Sequence, residues 1–252
     1  MSEPVPHRHV AECASTNDLA RAWAADPDAP APDGAWISAG RQTQGRGQRG
    51  RRWDAAPGES VLMSVVLRPA LRPAEWGQMA FVAALAVAEA LDDYGVSPAL
   101  KWPNDVLVED KKIAGVLIET VPGPDGTGIV IAGIGVNINQ AAFPGAEGYG
   151  TPPVSLRQAT GRAKAVLEVA GRIADALRRR TAQRLRDGWP RILEEYRARL
   201  AQGTPLRRGA GEAALVDVAA DGSARVRLAD GTFAQWVSVG GKEGAIGTGY
   251  EV

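Results

Sequence analysis

The chain has 252 residues, 45% of them apolar, with 29 basic and 29 acidic side chains. This suits one large domain, or one domain with a small companion, and disfavours a generally basic nucleic-acid-coating protein. A single cysteine, Cys13, rules out a disulfide framework or a cysteine-rich metal site, and His7 and His9, the only histidines, argue against a zinc site or a Ser-His-Asp triad. Residues 1–10 hold no apolar signal core, and the longest apolar stretch, 80–91, is interrupted by Glu89 and too short to span a bilayer. The sequence reads as soluble, cytoplasmic and free of membrane partners.

Residues 1–14 carry no structural signal. Ser15-Thr16-Asn17-Asp18 precedes an apolar-periodic run over 19–25, a helix start with Ser15 or Thr16 as N-cap. Locally, these hydroxyls need do no more than cap. Residues 26–34 carry three prolines and read as a loop, and 35–39 as a short strand. The next fourteen residues, 40–53, hold five arginines, four glycines and Trp53 without apolar periodicity, so neither an ordinary strand nor a helix is expected. Glycines let backbone approach a ligand closely, guanidinium groups suit carboxylate or phosphate, and an indole can stack on a base or a cation. Alone, this loop suits a solvated basic surface or a general nucleic-acid contact about as well as it suits a ligand site.

Residues 60–67 are rich in β-branched side chains and read as a buried strand. Residues 75–94 form the clearest helix, apolar on nearly every side and closed by Gly95. A strand over 99–102 stops at Pro103, and 106–108 with 113–121 read as a hairpin with 109–111 at its tip. Residues 122–128 form a Pro/Gly loop, 128–139 a core strand ending in glycines and asparagines, and 140–153 a second loop. A helical region over 163–200 is broken at Trp189-Pro190. After Gly203 come short β runs separated by Asp-Gly turns, about 48 residues that suggest a small β-barrel. The expected division is 1–203 and 204–252.

Lys101-Trp102-Pro103-Asn104-Asp105 and Lys111-Lys112-Ile113-Ala114-Gly115 flank the hairpin. If its tip centres on Asp110, Asp105 faces Gly115 and Val108 faces Lys112. The glycine leaves space beside Asp105, into which the Lys112 side chain can lean, and Lys101 adds a second cation. That set suits a carboxylate attacking the α-phosphate of ATP, where cations hold two anions together and an aspartate can bring Mg²⁺. No protein nucleophile is needed. A Walker A motif and a G-x-G-x-x-G opening a βαβ unit are both lacking, so neither a P-loop nor a Rossmann fold is expected.

The sequence over 45–53, Lys101 to Asp105, Lys112-Ile113-Ala114-Gly115, and the run Gly133-Ile134-Gly135-Val136-Asn137-Ile138-Asn139 together resemble biotin protein ligases, in that family's order and spacing. The resemblance implies an α+β fold: a mixed, mainly antiparallel sheet with flanking helices, like class II synthetases, plus a small C-terminal SH3-like barrel. It implies an enzyme that makes biotinyl-5′-AMP from biotin and ATP with Mg²⁺ and transfers biotin to one lysine of a biotin carboxyl carrier domain. Ser15, Thr16, Asn17 and Gln42 would then contact the biotin head group, with Gly45, Arg46 and Gly115 lining its pocket. Lys112 would hold the biotin carboxylate and the reacting phosphate oxygen, with Arg46 and Arg51 assisting. Arg49, Arg51, Trp53, Lys101, Asn104 and Asn137 would serve the nucleotide, and Asp105 the metal. Gln48 stands where the family commonly has arginine, which predicts a weaker hold on the intermediate. Only fourteen residues precede Ser15, so an N-terminal DNA-binding domain and an operator-binding role are not expected, while a homodimer is compatible. A lipoate or octanoate ligase and a non-catalytic nucleic-acid-binding module are the alternatives. The Arg-Arg-x-Ser-Gly-Gly-Gly loop of the former is missing, and neutral net charge disfavours the latter.

Overall fold

The computed structural model describes residues 5–122, 128–146, 150–208 and 211–237, without the side chains of Arg49, Pro122 and Arg208. Among them the main sheet has seven strands in the order β1-β2-β3-β7-β6-β5-β4. These are β1 His7–Cys13, β2 Trp36–Gln42, β3 Ser60–Leu67, β4 Ala99–Lys101, β5 Asp105–Val108, β6 Lys111–Pro122 and β7 Gly128–Asn137. β1 runs parallel to β2, and every other neighbour is antiparallel. The sheet is mixed and mainly antiparallel, as expected. β1 gives no signal in sequence because it is an edge strand whose side chains are mostly exposed, so it needs no apolar alternation.

One face of the sheet packs on α2 (Met79–Asp92) and α4 (Val166–Ala198). α2 is wedged between sheet and α4, which explains an apolar character on all sides: Val82, Leu85, Val87 and Leu91 are all at most 1% exposed. The expected helix over 75–94 is shorter, because Pro73–Gln78 winds as a 3₁₀ segment first. α4 bends sharply at Gly188 (φ 81°), two residues before Pro190, so the helical region is two segments as the Trp-Pro pair predicts. A five-residue helix, α3 (Leu156–Thr160), lies where no helix was expected. Its Ser155–Gln158 capping box is readable in sequence, since Ser155 Oγ accepts from Gln158 N at 3.1 Å and Gln158 Oε1 accepts from Ser155 N at 3.0 Å.

The other face carries α1 (Thr16–Ala24), whose Ala20, Trp23 and Ala24 pack on Ile37, Val66 and Ile131. This helix covers only one end of that face and leaves the rest to the site.

After α4 the chain forms a second antiparallel sheet from β8 Pro205–Arg208, β9 Gly211–Val218, β10 Ala224–Arg227 and β11 Phe233–Trp236, in the order β11-β10-β9-β8. This is compatible with the SH3-like barrel. Its Leu206, Leu215, Val218 and Val226 belong to the same core cluster as α2 and α4. Trp102 Nε1 donates to Gly222 O at 2.9 Å and Trp189 Nε1 to Ala220 O at 2.6 Å, so two indoles bind the sheet to the rest. Among the described residues no helix is long and apolar enough to cross a membrane.

Candidate active site

The site is organised by a register shift. β5 and β6 form a hairpin whose tip, Glu109 (φ 52°) and Asp110 (φ 59°), is a two-residue left-handed turn. Asp105 pairs with Gly115, as the sequence suggests, but Val108 pairs with Lys111 rather than Lys112. The difference is a bulge: Val106 faces Ala114, Leu107 faces Lys112, and Ile113 is the extra residue. In a regular strand, positions 112 and 115, three apart, would point to opposite faces. The extra residue brings Lys112 onto the face of Gly115 and Asp105. There Lys112 Nζ lies 2.6 Å from Asp105 Oδ1, and a Cβ added to Gly115 would fall 3.3 Å from the same Nζ.

The backbone of Lys112 is fixed as well. Its N–H donates to Pro152 O at 2.7 Å, and its carbonyl accepts from Val154 N at 2.9 Å and from Asn137 Nδ2 at 3.4 Å. Asn137 Nδ2 also donates to Val154 O at 3.2 Å, and its Oδ1 accepts from Gln140 at 3.3 Å. The segment just before α3 thus borders the cleft, and Thr151 Oγ1 accepts from Lys101 Nζ at 2.8 Å. Nothing in the sequence of this Gly/Pro loop marks it.

The cleft has a volume of about 690 Å³, within the range of small-molecule sites. At its α1 end Ser15 is the N-cap residue, but its hydroxyl makes no capping bond. Gln42 Oε1, at the end of β2, instead accepts from Thr16 N at 2.7 Å and Thr16 Oγ1 at 3.0 Å. Ser64 Oγ of β3 donates to Asn17 Oδ1 at 2.6 Å and lies 2.7 Å from Thr16 Oγ1. Asn17 Nδ2 is buried without a partner. A Cβ at Gly133 of β7 would fall 2.4 Å from Asn17 Oδ1, so the glycine is what admits this side chain.

Across the middle lies Trp53. A Cβ at Gly135 would fall 2.4 Å from its Cε2, and one at Gly115 would fall 3.1 Å from its Cζ3, so the two strand glycines make a flat seat for the indole. Trp53 Nε1 is a second buried donor without a partner, and Lys112 Nζ lies 5.7 Å from the ring centroid. The Arg/Gly loop folds back on itself to place Trp53. Trp53 N donates to Gly45 O at 3.0 Å, Gly47 N donates to Arg51 O at 2.7 Å, and Gln48–Gly50 makes one 3₁₀ turn. Gly45 is buried behind Trp53, where a Cβ would fall 2.3 Å from Trp53 O. Arg46 makes a bidentate pair with Asp18 of α1 (2.7 and 2.8 Å) and reaches Glu119 of β6 at 3.3 Å. These bonds hold Asp18 below the usual carboxylate range and raise Arg46.

The far end is cationic. Beyond Lys112, Lys101, Arg51 and Arg52 line it, and the C-terminal sheet adds Pro205, Leu206, Arg207 and Trp236, none of which the sequence singled out. Burial pushes the Lys101 ammonium below its ordinary value, Asp105 opposes this, and Lys112, Arg51 and Arg207 add to it. Asn104 is buried on the wall, where its amide donates to Val116 O. Of the expected residues, Ser15, Thr16, Asn17, Gln42, Arg46, Arg51, Trp53, Lys101, Asn104, Asp105, Lys112, Gly115 and Asn137 all border this one cleft. Gly45 sits just behind it, and the Arg49 side chain falls outside the described residues. The fit to a protein-held Mg²⁺ is poor. Asp105 is engaged by Lys112, Asp54 is paired with Arg52 at 3.3 Å, and among the described residues no three His, Cys, Asp or Glu side chains group as metal ligands.

A sequence model of the Biotin/lipoate A/B protein ligase family matches residues 11–139. The chain belongs to that family. It is 40% identical over 178 residues to a biotin--[acetyl-CoA-carboxylase] ligase of Paracoccus denitrificans, covering 68% of this chain and 73% of the relative. It is 37% identical over 132 residues to the bifunctional ligase/repressor BirA of Bacillus subtilis, which covers 52% of this chain but only 41% of that protein. Among solved structures, the biotin protein ligase from Aquifex aeolicus in complex with biotin and ATP superposes with a TM-score of 0.75 at 26% identity, covering 92% of this chain and 96% of the other. The family match contains every expected site residue, whereas Arg207 and Trp236 lie beyond it.

Proposed function

We propose that this chain is an ATP-dependent biotin–protein ligase that makes biotinyl-5′-AMP and passes biotin to a lysine of a biotin carboxyl carrier domain. The observation that carries the reading is the position of Lys112: its ammonium stands over Gly115, between an α1 end with an unpartnered buried donor and a far end lined by cations. The α1 end suits an uncharged polar head group, for which Asn17 Nδ2 and the Gln42 amide supply donors and Ser15 and Thr16 hydroxyls. The far end suits a triphosphate, with Lys101, Arg51 and Arg207 facing it. Trp53 walls the passage between them.

In this arrangement a biotin carboxylate oxygen attacks the α-phosphorus of ATP and pyrophosphate leaves. Lys112 holds the two anions together and neutralises charge as it builds. The amine of the acceptor lysine then attacks the carbonyl of the adenylate, loses a proton and expels AMP. Lipoate ligation, the other activity in this family's name, and octanoate ligation are the readings to separate, and the relatives' names favour biotin. A homodimer is served by the edge of β6, whose pairing with β5 ends at Gly115 while its pairing with β7 continues to Pro122. The deciding experiment is ATP–pyrophosphate exchange with biotin, octanoate and lipoate in parallel. Exchange with biotin is expected, and its absence defeats the proposal.

A further inference from the structure

We infer that Asp105 is the counter-ion and positioning residue of Lys112, and that the divalent cation of the reaction is carried by the ATP phosphates rather than by a protein carboxylate. The inference rests on the ligase reading and deepens it. Three observations support it. Asp105 Oδ1 is 2.6 Å from Lys112 Nζ, so the carboxylate is spent on an ion pair inside the cleft. The charges around it are positive: Lys112 pairs with it, Lys101 feels its charge, and Lys112, Arg51 and Arg207 act on the same Lys101. A divalent cation arriving alone would be repelled by those charges. Finally, the bulge that turns Lys112 onto this face also puts it opposite Leu107, two residues along β5 from Asp105, and Gly115 stands directly across from Asp105 with no side chain to keep the two apart.

A lysine ammonium is a compact charge on a flexible four-carbon stem, so it needs a partner to fix it in space. Asp105 supplies that partner in the empty cleft. When biotin enters, its carboxylate competes with Asp105 for the same ammonium. Asp105 therefore weakens ground-state binding of biotin while keeping Lys112 aimed for adenylation, so its loss should move binding and turnover in opposite directions.

The test uses the full chain as wild type, Asp105→Asn, Lys112→Gln and the double variant. Biotin affinity is measured in chelator-treated buffer without ATP, and biotin-dependent ATP–pyrophosphate exchange is measured against Mg²⁺ concentration. Asp105→Asn should tighten metal-free biotin binding about threefold or more in the wild-type background and leave it unchanged in the Lys112→Gln background, the coupling expected of residues in contact. It should also lower the maximal exchange rate about tenfold or more, while half-saturating Mg²⁺ stays within about twofold. A rise of about tenfold in half-saturating Mg²⁺, with the rate restored at saturation, makes Asp105 a metal ligand and overturns the inference. Equal effects of Asp105→Asn in both Lys112 backgrounds overturn it too. Wild-type protein that binds no biotin refutes the ligase reading itself, a result distinct from either.

Discussion

At the scale of single residues the site depends on what glycines leave open. Gly135 and Gly115 seat the Trp53 indole, and nothing larger fits at 135 without moving it: a Cβ there would stand 2.4 Å from a ring atom. Gly135→Ala should therefore leave the fold intact, displace Trp53 and weaken biotin binding by about tenfold, a loss of roughly 1.4 kcal/mol. Calorimetric titration reads the affinity and tryptophan fluorescence the displacement. Unchanged fluorescence with unchanged affinity would refute the seat. Lys101 gives a prediction in pH. Burial lowers its pKa in the folded protein, so it loses its charge at lower pH than a free lysine. Phosphate binding needs the charged form, so ATP affinity should decline on the alkaline side before pH 10.5. In the linkage sense the fold binds fewer protons at Lys101 than the unfolded chain does, so this group's contribution to stability rises with pH across that window. Lys101→Arg, which keeps its charge, should flatten the decline, and equal pH slopes for the two proteins would show that Lys101 does not meet the phosphates. Gln48 lines the same cleft where an additional cation could stand. Gln48→Arg should slow release of biotinyl-AMP, measured by rapid filtration of the preformed intermediate, and an unchanged rate would contradict the weaker-hold reading.

At the scale of elements, α2 shows how burial and sequence correspond. A helix apolar on every side has no solvent face to keep, and its Leu85 is 1% exposed. Leu85→Ala should cost about 2–5 kcal/mol, which for a chain of this size lowers the melting temperature by roughly 4–20 °C. A thermal scan checks it, and a shift below about 3 °C would place Leu85 outside the tightly packed core. Much of this level was legible in the sequence. β3 and α2 announce themselves because both are buried, and the pairing of Asp105 with Gly115 follows from the hairpin alone. Three things were hidden for distinct physical reasons. β1 is an exposed edge that packing does not pattern. The bulge at Ile113 is a register choice that alternation alone does not specify, because Ile113 and Ala114 are both buried apolar residues and either could be the extra one. The 150–155 segment supports Lys112 through backbone groups, which every residue has.

At the scale of the whole molecule, the question is whether the C-terminal sheet is an appendage or part of the body. Its strands were readable from their Asp-Gly turns, yet their place beside the cleft was not, since Leu206 and Trp236 look like any strand residues. The structure joins the sheet to the rest through one continuous core and through the indoles of Trp102 and Trp189, and Trp102 belongs to the motif that ends in Asp105. Removing the sheet would strip carbonyl partners from both indoles and uncover the edge of Phe81 beside Gly222, where an added Cβ would stand 3.7 Å from the ring. A chain ending at residue 203 should therefore lose its cooperative melting transition or melt far below the full chain, and should lose biotin-dependent exchange. The full chain should melt in a single transition, because burial shared between the two sheets couples their unfolding. Two separate calorimetric transitions in the full chain, or a truncated chain that melts and exchanges normally, would show instead that the small sheet folds alone and that Arg207 and Trp236 merely lie beside the cleft.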